Sequence, residues 1–320
     1  MVKQLLSEDY GKSGRYVNLP NNKGLTSLHL AAASGLVNVV DFLIRHGAML
    51  NAKTKEDYTS LHYAVGCVEK DDTVTKLIGK LCNGDGDKII INCRGEGGQT
   101  ALHLAAGNGL IATTKLLLRK GADITIKDNE GETALHYAVR KSTQYNHSKD
   151  EKDTALQIID ELCARGDEEY ANIKCKNGNT ALNLAAENGS FRTIKSLLGK
   201  EVRLDIQDEE DNTPLHDLIS CETKDEASLA EIVEMLCRKA TDTFVNRTNH
   251  LGETALQLAA RKRYDQVVER LLQQNVYLDN VDRDGWTALQ SAVQGQSANA
   301  VCRIACKMMA LQQEAAELPR

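Results

Sequence analysis

GQTALHLAAGNGL, residues 98–110, is the stretch that decides how this chain folds. A threonine, a leucine, a histidine and a run of small residues closed by glycine make one short helix with a stop signal. The phrase returns as Thr26-Ser-Leu-His29, Thr59-Ser-Leu-His62, Thr133-Ala-Leu-His136, Thr180-Ala-Leu-Asn183, Thr213-Pro-Leu-His216, Thr254-Ala-Leu-Gln257 and Thr287-Ala-Leu-Gln290. Successive threonines lie 33, 41, 33, 47, 33, 41 and 33 residues apart. Self-similarity at such a period makes the 320 residues one stacked array rather than two unrelated domains.

Working outward from Thr100, the threonine sits where its hydroxyl can cap a helix by accepting from an otherwise orphaned backbone N–H. Leu102, Ala105 and Ala106 then recur at helical spacing, and a second apolar helix follows from Ala112 to Arg119 with Leu116 and Leu117 on one side. Gly121-Ala-Asp opens a polar turn into the next unit. Glycine recurs two residues before the threonine, as Gly24, Gly98, Gly131, Gly178, Gly252 and Gly285, where a turn wants positive φ. Asp57 and Asp211 hold that place in two units, so a left-handed aspartate is expected there. One such helix pair cannot bury its own apolar side; stacking neighbours completes the core.

Composition agrees with small, closely packed helices. Hydrophobic residues make up 42% of the chain but aromatics only 4%, which leaves Leu, Ala, Ile and Val to build the interior. A net charge of −6 argues against nucleic acid as the main partner, since phosphate binding needs a basic face. There is no run of 18 apolar residues and no secretory-type apolar start, so the expectation is a monomer without membrane insertion, in the cytoplasm or alternatively the nucleus. Cys82, Cys163 and Cys237 follow leucines in corresponding units and read as small buried core residues. Cys302 and Cys306 could share a helix face, yet no further cysteine or histidine pair completes a metal site. Gly11-Lys12-Ser13 resembles the end of a phosphate loop, but position 6 is Leu6 and no strand precedes it. With no catalytic motif in sight, neither an enzyme nor a cofactor is expected.

The phrase resembles that of the ankyrin repeat, Thr-Pro-Leu-His-x-Ala at a period of 33; Thr213-Pro-Leu-His216 is nearest to it, and the likeness runs over about residues 18 to 305. The resemblance implies an all-α solenoid of helix-turn-helix units with short hairpin-like turns. The array then occupies 21–297, with 1–20 as a partial preceding repeat or cap. Residues 298–320 form the last second helix and a cap, with Val301, Ile304, Met308 and Leu311 on one side. In that family the histidines, here His29, His62, His103, His136 and His216, bond to backbone beside anchors such as Thr100, and Asn183, Gln257 and Gln290 can stand in for them.

The family binds other proteins through turn tips and first helices on a concave face. Carried over, that face holds Tyr58, Tyr63, Gln99, Glu130, Glu132, Tyr137, Arg140, Asn179, Glu187, Glu210, Asn212, Asp217, Arg261 and Trp286. Its aromatics suit interface anchors. Acid gathers in the middle units, at Asp128, Glu187, Asp208, Glu209, Asp211 and their neighbours, and a partner with a basic segment would suit it. Polar insertions at 69–73, 141–153 and 222–226 are expected to emerge as a row of loops, either tolerated or a second contact surface. The function expected is a non-enzymatic protein-protein interaction module: a scaffold, adaptor or inhibitor. Two alternatives remain: an inhibitor-of-kappa-B-like regulator of a transcription factor, or an ankyrin region that senses a nucleotide or small molecule and controls an effector. For the last, Arg140-Lys141 and Arg261-Lys-Arg263 are the basic candidates.

Overall fold

The computed structural model describes residues 16–67, 70–83, 90–143, 149–223, 225–240 and 242–317. Its chain divides into two compact units, Met1–Tyr170 and Ala171–Arg320. The first contains α1 (Ser27–Ala33), α2 (Val37–Arg45), α3 (Ser60–Cys67), α4 (Asp71–Leu81), α5 (Ala101–Asn108), α6 (Ile111–Arg119), α7 (Ala134–Thr143) and α8 (Lys149–Cys163). A short helix, α9 (Glu168–Ala171), ends at the division. The second contains α10 (Ala181–Glu187), α11 (Phe191–Leu198), α12 (Pro214–Ser220), α13 (Glu226–Lys239), α14 (Asp242–Val245), α15 (Ala255–Arg261), α16 (Asp265–Leu272), α17 (Ala288–Gln294) and α18 (Ala298–Glu317). Among the described residues there is no strand, only an isolated antiparallel bridge between Thr248 and Thr254.

Each first helix starts where the repeated threonine places it. Thr100, for instance, is extended at φ −97° and ψ 169°, and the helix that follows it buries Leu102, Ala105 and Ala106. Within each unit first helices pack on first helices and second on second: α1 on α3 and α2 on α4, α10 on α12 and α11 on α13. The two layers share a core of Leu, Ala, Ile and Val, such as Leu77, Ile78, Leu117, Ile194, Leu197 and Leu271.

The turn before each threonine is a tight tip. Its N–H five residues ahead of the threonine donates to the carbonyl just before it, as in Thr54 to Tyr58 (2.9 Å), Asp128 to Glu132 (2.8 Å) and Asp282 to Trp286 (3.1 Å). Asp57 and Asp211 take φ 58° in these tips, the left-handed place that glycine holds elsewhere. At Gly24 even a methyl group would be excluded, because its carbon would lie 2.9 Å from the Lys55 nitrogen of the next tip.

The alternating spacing marks a second level of order, repeats grouped in pairs. Before the first, third, fifth and seventh threonines stand Tyr16-Val17-Asn18, Ile90-Ile91-Asn92, Tyr170-Ala171-Asn172 and Phe244-Val245-Asn246. Each asparagine straps its repeat to the next. Asn18 donates to the Gly47 carbonyl and accepts from the Met49 N–H (2.8 and 2.7 Å). Asn246 does the same with Asn275 and Tyr277 (2.7 Å each).

Where they are described, the first two insertions are largely helical, whereas Glu222, Thr223 and Asp225 of the third remain outside a helix. Residues 71–73 belong to α4, 141–143 to α7, 149–153 to α8, and Glu226 begins α13; residues 69, 144–148 and 224 lie outside the described residues. The inserted acids explain this, because carboxylates favour a helix N-terminus. Asp71 accepts the N–H groups of Ala112 and Thr113 at the start of α6 (2.8 and 2.9 Å), and Glu226 accepts that of Gln266 in α16 (2.6 Å). The inserted acids thus cap the neighbouring repeat's second helix. Two smaller expectations also change: Cys163 is half-buried rather than a core thiol, and Leu311 is exposed while Ile304 is fully buried.

A candidate binding groove of carboxyl and amide groups

The repeated histidines are wired into the backbone. In His62, Nδ1 accepts the Thr59 N–H at 3.1 Å and Nε2–H donates to the Gln99 carbonyl at 3.1 Å. His216 repeats this with Thr213 (3.2 Å) and Glu253 (3.1 Å). Thr100 and His103 make the same pair (3.1 Å), and so do Thr133 and His136 (3.1 Å) and Thr26 and His29 (3.1 Å). Burial holds His62 and His216 down to about 4, and it lowers His29 and His103 in the same direction. A neutral ring whose two nitrogens are both engaged ties one repeat to the next and has no proton to exchange.

Where the histidine is replaced, the neighbour changes with it. Asn183 still accepts from the Thr180 N–H (3.2 Å), but its amide is too short to reach the next tip. It donates instead to Asp217, four residues after Thr213, at 2.9 Å. In three of the four pairs the residue at that place in the second member covers the histidine position of the first. Tyr63 meets His29 edge-on at 5.7 Å between ring centres, and Tyr137 meets His103 at 5.3 Å. Asp217 is therefore not the exposed contact that its position suggested: only 7% of it is accessible, and burial pushes its carboxyl up to about 8.

Around Asp217 the second unit forms a groove of about 570 Å³. Six residues of the carried-over contact face meet there: Asn179, Glu187, Glu210, Asn212, Asp217 and Arg261. Asp208, Glu209, Asn249, His250 and Glu253 join them. Its electrostatics are simpler than a count of acids suggests. Asp208 is spent on the tip, accepting from Glu210 and Asn212 N–H (2.9 and 2.8 Å). Glu253 is buried and ion-paired with Arg261, and Asp217 is held protonated. That leaves Glu187, Glu209 and Glu210 as the exposed carboxylates on the rim. Sequence reasoning missed Asn249, although its place five before Thr254 carries a tip-capping polar residue in most repeats.

The first unit holds a different surface. Tyr58 and Tyr63 face each other edge-on at 6.2 Å, and with Glu56, His62, Gly66 and Leu104 they line an apolar groove of about 320 Å³. Gly95 has room for no side chain, since its methyl would fall 2.2 Å from the Tyr58 ring. Tyr137 is engaged elsewhere, its hydroxyl donating to Asp128 at 2.8 Å, so burial and that carboxylate raise its pKa. Glu132 is buried and accepts from Arg140 Nε at 2.9 Å, which corrects its reading as a turn-tip contact. Gln99 lies half-buried at its tip, Glu130 is exposed, and Trp286 stands exposed at the last tip, away from either groove. The arginine that opens each basic candidate is paired internally, Arg140 with Glu132 and Arg261 with Glu253, and Lys262 donates to the Ser220 carbonyl (2.6 Å), while Arg263 is exposed.

A family model described as ankyrin repeats (3 copies) matches residues 1–87, 66–152, 151–243 and 219–313. The chain belongs to the ankyrin repeat family. Ankyrin arrays are protein-interaction modules. This array is 29% identical over 220 residues to a transient receptor potential cation channel subfamily A member 1 homolog of Caenorhabditis elegans, covering 68% of the chain and 16% of that protein. To the Homo sapiens transient receptor potential cation channel subfamily A member 1 it is 27% identical over 319 residues, covering 90% and 27%. The chain therefore spans only 16% and 27% of the length of these channel proteins. It is also 26% identical over 202 residues to the Mus musculus B-cell lymphoma 3 protein homolog, covering 63% of the chain and 41% of that protein. The crystal structure of the ankyrin repeat domain of Bcl-3, a member of the IkappaB protein family, matches with a TM-score of 0.59 at 24% identity, over 78% of this chain and 99% of that one. That likeness shows the shared fold. Among the described residues no helix is long and apolar enough to cross a membrane, and no group of three metal-ligating side chains occurs.

Proposed function

We propose that this ankyrin array is a binding module whose second unit captures a lysine- or arginine-bearing segment of a partner protein. The observation that carries the reading is the groove of the fifth to seventh repeats, where Glu187, Glu209 and Glu210 stand on the rim and the one guanidinium, Arg261, is already paired with Glu253. Buried Asp217 and amides such as Asn179 and Asn212 supply uncharged polar contacts on its walls. A basic segment thus meets carboxylates without an opposing cation, so association is fast and weakens with salt.

Of the two alternatives, the regulator of a transcription factor shares this capture step, and the nucleotide or small-molecule sensor does not. Similarity to the B-cell lymphoma 3 homolog supports a regulator of the inhibitor-of-kappa-B kind, and similarity to the channel proteins supports an array that controls a larger effector. Nucleotide sensing is disfavoured because Arg140 and Arg261 already neutralise buried glutamates.

The test is fluorescence anisotropy with a labelled lysine-and-alanine peptide and its glutamate counterpart. The lysine peptide binds, loses affinity as salt rises, and loses it further when Glu187, Glu209 and Glu210 are changed together to Gln; Tyr58→Ala in the other unit leaves it unchanged. Equal binding of the two peptides, or full affinity in the triple variant, would refute the reading.

A further inference from the structure

The sixth repeat places a carboxyl where the fold needs none. Asp217 stands four residues after Thr213; at that place the other second members of a pair carry Tyr63, Tyr137 and Ser291. Its structural task is to accept from Asn183 Nδ2, which Asp217 Oδ2 does at 2.9 Å. A side-chain amide or hydroxyl oxygen would accept that bond without an ionisable group. The carboxyl is instead nine-tenths buried and pushed up to about 8 by that burial, so it weakens the fold as pH rises.

Its second oxygen opens on the groove. Among the described residues Oδ1 has no hydrogen-bond partner, yet it is not sealed off and keeps surface on the groove that Asp217 lines. Since Oδ2 is engaged as an acceptor, the proton of the neutral carboxyl sits on Oδ1 and faces the groove.

The groups around this oxygen favour a cation. Asp208 and Glu210 act on Asp217 from the tip ahead of α12 and Glu187 from the end of α10; after burial, all three help to hold its proton in place. Glu209 stands on the rim, Arg261 of α15 is paired with Glu253, and His250 Nδ1–H donates to the Glu210 carbonyl at 2.8 Å. On α12 itself His216 is held neutral by burial, and burial raises the Cys221 thiol. Behind it α13 buries apolar side chains and the Cys237 thiol, which burial pushes up to about 12. The proton is thus the one cation at this point that no carboxylate has already paired.

We infer that Asp217 is the seat for a lysine of the captured segment, whose ammonium takes the place of the carboxyl's proton; this rests on the capture proposed above. An N–H of the ammonium donates to Oδ1, the O–H bond of the carboxyl breaks, and the proton leaves to solvent. One cation replaces another, so the charge of the seat is unchanged. Lysine suits it better than arginine, because a guanidinium fork seeks two oxygens side by side and Oδ2 is already engaged with Asn183.

Titration calorimetry of the full chain with an acetylated lysine-and-alanine peptide tests this. It is run at pH 7 in two buffers of different ionisation heat and then from pH 6 to 9, with His250→Gln in every protein so that this imidazole contributes nothing. Binding releases about one proton at pH 7, and affinity climbs by up to about tenfold per pH unit before levelling off above pH 8. Asp217→Asn keeps an acceptor for Asn183 and the rim carboxylates; it binds the peptide with no proton released and with an affinity flat in pH. The arginine-and-alanine peptide binds at the rim and releases far less. If the lysine peptide does not bind at all, the capture itself is refuted and the seat with it. If it binds and weakens with salt but releases no proton, or if Asp217→Asn or the arginine peptide releases as much, the capture stands and the lysine seat at Asp217 is refuted.

Discussion

Replacing Asp217 with Asn should stabilise the second unit in a strongly pH-dependent way. The carboxyl titrates at about 8 in the folded chain because burial penalises its charge, against 3.8 when unfolded. The folded state therefore holds a proton that the unfolded state releases between those values. The stability tied to that proton is fully present below pH 3.8 and drains away as pH rises toward 8. At 1.36 kcal/mol per pH unit, the loss reaches roughly 4 kcal/mol by pH 7. Asn has the same shape, does not titrate, and keeps an acceptor for Asn183. Urea unfolding followed by circular dichroism should find the two proteins nearly equal at pH 4, with the variant ahead by roughly 3 to 4 kcal/mol at pH 7 and the gap levelling off above pH 8. Because repeat arrays unfold by neighbouring units, hydrogen exchange in α10 and α12 would confirm where the gain resides. A difference that stays flat with pH would show that Asp217 titrates as a surface carboxylate and would remove the neutral wall from the groove.

Three further outcomes follow from the same geometry. His62 and His216, lowered to about 4, stabilise the fold fully above pH 6.5 and lose that contribution as pH falls toward 4; at pH 5 the loss is about 2 kcal/mol each. His216→Gln should therefore flatten the acid limb of a stability-versus-pH curve, and an unchanged limb would contradict the assignment. Arg261→Ala leaves Glu253 buried without its cation; since the arginine is itself partly exposed, a loss of about 2 kcal/mol is expected in urea unfolding, with no effect on phosphate binding by calorimetry. Gly95→Ala drives a methyl into the Tyr58 ring and should cost about 1–3 kcal/mol, a cost that largely disappears in a Tyr58→Ala background. Additive effects in that double variant would refute the contact.

Much of this architecture is written in local patterns. Thr100 and its seven counterparts announce their helices because a cap acts on the very next turn, and Asp57 and Asp211 announce left-handed tips because only a few residue types tolerate that backbone. What escaped reading depends on contacts between repeats. Asp217 looked like another exposed acid; only the missing histidine at Asn183, thirty-four residues earlier, reveals it as the buried mate. Glu132 looked like a tip charge, yet folding brings it, as it brings Glu253, beside an arginine eight residues on. Inserted acids read as loop because polarity was weighed without asking which neighbouring helix start lacked a cap. The asparagine straps were open to view, but only when alternate repeats are aligned rather than successive ones.

Those straps carry a consequence for how such a chain can change length. Asn18, Asn92, Asn172 and Asn246 stand at equivalent points, and each opens a block of two repeats. A deletion or duplication that runs from one of these asparagines to the next adds or removes one whole block and recreates the joint it cuts. A cut of a single repeat would place a strap opposite a linker with no matching partner. Variants of this chain should accordingly gain or lose repeats in even numbers.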